Sequence, residues 1–213
     1  MTAVYLELGT KRIFACALEW PGWCRSGRDA QRALAALTAY AERYAVVAER
    51  AKITFEPGDV RVVERVRGGS TTDFGAPEQP ASTDFAARDG ATAQRQAALV
   101  RAAWDVFAEV AAVTPEQLRK GPRGGGRDRD KMIEHVIAAE ASYARRIGVK
   151  HPAPAAGDAA AVAALRAEVL DVLAAPTDGT PVPRGGWPAA YAARRIAWHV
   201  LDHAWEMQDR ATS

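Results

Sequence analysis

Apolar residues recur along this chain in two rhythms, and the change between them falls near residue 66. Residues 3–8 and 12–18 are short runs rich in Val, Leu, Ile, Tyr and Phe on either side of Gly9-Thr10-Lys11, which predicts two strands joined by a hairpin turn. From 29 to 49 the positions Ala30, Leu34, Leu37, Ala41, Tyr44 and Ala48 recur at intervals of three and four, the signature of a helix. Residues 59–66 read as a third strand, and residues 19–27, with Trp20-Pro21-Gly22, as a loop. The first 66 residues are therefore expected to form a β-β-α-β module.

Beyond about residue 89 only the helical rhythm remains. Four apolar stripes appear: Leu99, Ala103, Val106, Val110 and Val113; Met132, His135, Val136, Ala139, Tyr143 and Ile147; Val162, Leu165, Val169, Val172 and Leu173; and Ala192, Ile196, His199, His203 and Met207. Pro188 stands near the start of the last, where proline is tolerated. Four such helices predict an all-α four-helix bundle over 89–213, joined to the α+β module by a Gly-, Pro-, Ser- and Thr-rich connector over 67–88.

Composition narrows the function classes. A formal net charge of +2, with basic residues spread along the chain, makes no demand for nucleic acid or a membrane surface. No run approaches the length of a transmembrane helix, and the first residues carry no basic, apolar leader, so a cytoplasmic protein is expected. Two cysteines, Cys16 and Cys24, are too few for a disulfide framework and too far apart for a Cys-x-x-Cys pair; free thiols are expected. Trp20, Trp23 and Cys24 share one short loop, where the aromatics either plug a small core or form a recognition surface.

The chemistry-bearing residues are histidines. His199 and His203 stand four apart, and so on one helix face about 6 Å apart along the axis. His135 lies on the inward stripe of a second helix. A polar ring buried without a partner is costly, and one shared metal ion accounts for three such rings more economically than three separate hydrogen-bonded sites. Three imidazoles would leave positions open for water or substrate, as in a catalytic centre. The spacing excludes a zincin, which needs Glu directly after the first ligand; here that residue is Val200. Asp202 and Glu206 are candidates to orient the ligand rings, or are simply solvated helix acids. Arg123 and Arg127, in the glycine-rich run before the second bundle helix, are candidates to hold a carboxylate or phosphate, or belong to a plain helix–helix loop. Trp198 and Trp205 either wall the metal pocket or pack their helix against the first module, and His151 reads as a surface residue.

Residues 90–210, by His135 in the second helix, the His199-x-x-x-His203 pair in the fourth and the helix order, resemble the DinB-like superfamily. The resemblance implies a divalent metal, Zn or Ni, on His135, His199 and His203, and a metal-dependent hydrolase or a thiol-dependent S-transferase using a low-molecular-weight thiol of the mycothiol or bacillithiol type on a small-molecule substrate, often as a homodimer. Residues 1–66 are similar to a HicB-like unit through Trp20-Pro-Gly-Trp-Cys-Arg-Ser-Gly27 ahead of a helix. That likeness implies the alternative of a non-catalytic binding or regulatory protein with a structural metal, although no DNA-binding tail is present.

Overall fold

A computed structural model describes residues 1–121 and 125–211. The mixed α+β class holds. A four-stranded sheet forms from β1 (Thr2–Leu8), β2 (Ile13–Ala17), β3 (Cys24–Gly27) and β4 (Val60–Arg67), in the order β3-β2-β1-β4. β1 pairs antiparallel with β2 and parallel with β4, and β2 pairs antiparallel with β3. The burial of each strand explains its place. β1 is covered on both faces, as a central strand must be, whereas β4 alternates half-buried with exposed residues and sets Arg61, Arg65 and Arg67 toward water at an edge.

Two differences from the sequence reading stand out. The expected loop 19–27 ends in a fourth strand, β3, too short to carry a period of its own. The expected helix 29–49 is two helices, α1 (Ala30–Ala39) and α2 (Ala41–Arg50), broken at Tyr40. No glycine or proline marks that break. Tyr40 instead leaves the helical path, its N–H bonding Leu37 O at 3.1 Å, and sets its ring against Trp205 at 5.1 Å and under the Arg25 guanidinium at 4.0 Å. The loop before β3 turns at Gly22, whose φ of +93° favours glycine; a Cβ there would stand 2.6 Å from Leu201 Cδ1. Its aromatics plug the core: Trp23 stacks on Tyr44 at 5.8 Å and donates from Nε1 to Leu37 O at 2.9 Å.

The connector folds as a strap over the sheet. It holds a short helix, α3 (Ser70–Phe74), and a 3-10 turn (Ser82–Phe85). Buried Glu7 of β1 accepts from Thr72 Oγ1 at 2.5 Å and from the backbone N–H groups of Glu78 and Gln79. Further along, Asp84 meets Arg194 in a two-pronged ion pair of 2.6 and 2.5 Å and also accepts from Ala81 N–H.

The remaining helices are α4 (Gly90–Val113), α5 (Arg129–Arg146), α6 (Ala159–Ala174) and α7 (Ala189–Ala211). α7 packs against α4, α5 and α6, and every residue from Tyr191 to Leu201 is buried. One apolar core runs from Val4 and Trp23 through Leu37 and Tyr44 to Leu99, Ile196 and Leu201, so sheet and helices share it. Among the described residues no helix is long and apolar enough to cross a membrane.

The Asp84–Arg194 pair yields a first prediction. Asp84→Ala strands a buried guanidinium and is expected to cost about 3–5 kcal/mol of unfolding free energy in urea, part of it recovered by adding Arg194→Met. A loss below about 1 kcal/mol, the range of an exposed pair, would refute this account of the contact.

Candidate metal centre

His135 projects from the middle of α5; His199 and His203 project from one face of α7, one helical turn apart. The packing of α5 on α7 brings the three imidazoles together, with one nitrogen from each within 4.8 Å of the others. Ring centroids are 4.7 to 5.0 Å apart, and His135 Nε2 lies 3.2 Å from His199 Nε2. Two nitrogens bound to one tetrahedral zinc at ~2.05 Å stand about 3.3 Å apart, so this edge of the triangle already has the span of a metal site.

Tautomer and charge also fit. Glu206 Oε2 stands 3.0 Å from His203 Nδ1, and its other oxygen accepts from Arg210 Nη1 at 2.6 Å. A carboxylate at Nδ1 holds the proton there and leaves the Nε2 lone pair free to bind a metal. Those bonds, first the one to His203, keep the Glu206 carboxyl below its ordinary range. Burial, helped by the positive charge of Arg127, pushes His135 down to about 4. Burial, with His203 and Arg195 nearby, holds His199 well below its ordinary value. Both rings are therefore neutral at pH 7, the form that binds a metal. His199 is 6% exposed and His203 9%. His199 Nδ1 is buried and has no hydrogen-bond partner among the described residues, an incomplete hydrogen-bonding state for a ring whose Nε2 meets another imidazole.

The other candidates separate. Glu206 touches a ligand ring, whereas Asp202 is held by Arg25 Nη1 of β3 at 2.8 Å, and burial raises its carboxyl. Arg127 is exposed and acts on the site through its charge; Arg123 lies outside the described residues. His151 is remote from the cluster, its Nδ1 on Pro152 O at 2.7 Å. Trp198 meets both readings: its ring is edge-on to Phe14 of β2 at 5.9 Å and 6.2 Å from His199. Trp205 packs α7 onto Tyr40.

Sequence reading did not single out Arg195 or Arg210. The Arg195 guanidinium lies over the Tyr143 and Trp198 rings at 4.8 and 4.7 Å, and both rings border His199. The i,i+4 spacing of Glu206 and Arg210 was a readable signal; Arg25 on Asp202, 177 residues away, was not.

The neutral histidines set a pH dependence for the metal-free protein. His135 titrates near 6.5 unfolded and about 4 folded, so between those values the unfolded chain binds more protons than the native one. Stability therefore falls as pH is lowered through that window. Buried Glu7 and Glu140 and half-buried Asp202, whose carboxyls are raised chiefly by desolvation, act in the opposite sense, so the measurement is a comparison. The urea midpoint of His135→Gln should fall less steeply than that of the unmodified protein from pH 6.5 to 4; equal slopes would rule out the depressed imidazole. Against this geometry, no protein family, no curated protein and no solved structure matches the chain.

Proposed function

We propose that the protein is a metal-dependent enzyme in which His135, His199 and His203 hold a divalent ion, Zn or Ni, and that it acts on a small molecule as a thiol S-transferase or a hydrolase. On this reading α4 to α7 form a four-helix bundle of the DinB-like kind. The observation that carries it is the convergence of three imidazoles from two helices, with Glu206 behind one of them. The donor set favours an open centre. Among the described residues the cluster contains three nitrogens and no thiolate or carboxylate, so a four-coordinate ion keeps a position for an exogenous ligand.

Such an ion lowers the pKa of a bound water or thiol and makes a nucleophile near neutral pH. The protein's part is orientation and exclusion. Glu206 fixes the His203 tautomer and Arg210 fixes Glu206. Trp198 and Tyr143 cover His199 and limit water on that side. Arg195 and Arg127 add positive charge near the centre, which favours an anionic ligand such as a thiolate over a neutral one.

Cobalt(II) replaces zinc and reports its own coordination. Titrating Co(II) into chelator-treated protein should give one equivalent of tetrahedral absorption, lost in His199→Ala and weakened about 10–100-fold in affinity by Glu206→Ala. Adding a small thiol should produce a sulfur-to-cobalt charge-transfer band. No stoichiometric binding would end the metal reading. Binding with no response to thiol or to other small anions would indicate a closed shell and a non-catalytic, structural metal.

A further inference from the structure

The two cysteines are not isolated thiols. Cys16 of β2 and Cys24 of β3 are directly opposite in the antiparallel register, and their sulfurs are 2.9 Å apart. The next pair, Ala17 and Trp23, shares a backbone hydrogen bond (Ala17 N–H to Trp23 O, 3.0 Å). Cys16 and Cys24 therefore occupy a non-hydrogen-bonded position, where the Cα atoms approach to about 4.5 Å, inside the roughly 4.4–6.8 Å that a disulfide spans. Both side chains are buried under Trp198 together with Tyr5 and Phe14. Cys24 also lines a solvent-open cavity of about 320 Å³, along with Arg25, Ser26, Trp198 and Glu206.

We propose that Cys16 and Cys24 form a redox-active dithiol, converted to a cross-strand disulfide by a low-molecular-weight disulfide that reaches Cys24 through this cavity. The thiolate of Cys24 attacks one sulfur of the small disulfide, forming a mixed disulfide and releasing one small thiol. Cys16 then attacks the Cys24 sulfur, closing the Cys16–Cys24 bond and releasing the second small thiol. The protein loses two protons and two electrons, and the small disulfide takes them up to become two thiols. The register pre-places both sulfurs, so closing the bond requires little ordering of the chain beyond what folding has done. Burial pushes the Cys24 thiol above its ordinary value, which makes the thiolate scarce and the exchange slow at neutral pH without changing where it ends. The inference is independent of the metal reading.

The test uses the full chain and glutathione buffers of graded thiol-to-disulfide ratio, brought to equilibrium and quenched in acid. Intact mass should fall by two hydrogens, and both cysteines should resist alkylation after unfolding until dithiothreitol is added. Cys16→Ala should instead accumulate a glutathione adduct on Cys24. The equilibrium constant for the native protein should exceed that of the urea-unfolded chain by about tenfold or more, equivalent to ~30 mV. The comparison of native and unfolded wild type carries the test even if the variant folds poorly. Two alkylatable cysteines at oxidising equilibrium, or a native constant no larger than the unfolded one, would overturn the proposal.

Discussion

A buried guanidinium is tolerable only with an anion against it, and the Asp84–Arg194 contact is where that requirement organises the molecule. Arg194 sits in a continuously buried run of α7 and is itself 6% exposed. Its anion comes from the strap, 110 residues earlier in the chain. Satisfying that charge draws the strap down onto α7. The same strap is tied to the sheet through Glu7, which receives Thr72 Oγ1 and two backbone N–H groups. Two buried acids thus lock β1 and α7 to one connecting segment, and the orientation of α7 that follows decides where His199 and His203 point.

The histidine cluster is a second polar intrusion into an apolar interior, resolved differently. Arg194 keeps its charge because Asp84 balances it. His135 and His199 lose theirs, because burial disfavours the imidazolium and neighbouring positive charge adds to it. Neutrality removes the mutual repulsion that would otherwise push rings at 5 Å apart. It leaves one nitrogen of each ring within 4.8 Å of the others, with the polar potential of His199 Nδ1 unmet on the other side. Three such rings form a cluster where a metal ion could bind.

Much of this was legible in the chain. Periods of three and four located α4, α5, α6 and α7, and the three histidines fell on inward stripes because helical spacing dictates side-chain direction. β1, β2 and β4 were visible as short apolar runs. What escaped was set by contacts distant in sequence. β3 has four residues, and its existence depends on pairing with β2 rather than on a pattern of its own. The break at Tyr40 is invisible to periodicity, since the stripe runs through it without a glycine or proline; the ring's place between Arg25 and Trp205 explains it. Asp202 and Glu206 looked equivalent on the helix, three residues and one turn from their histidines. Only the fold shows that Arg25 takes the first and His203 the second.

That division of acids shows how the sheet enters the chemistry of the helices. β3 starts at Cys24, beside Cys16, and its next residue, Arg25, pairs with Asp202 one position before His203. Without Arg25, the carboxylate of Asp202 would be an unpaired, half-buried negative charge near the cluster, favouring protonated imidazole over the neutral form that binds a metal. With Arg25 present that charge is paired, and Glu206, steadied by Arg210, is left as the acid in contact with a ligand ring. The strand that sequence patterning missed is therefore the part of the N-terminal sheet that contributes most directly to the electrostatics of the site.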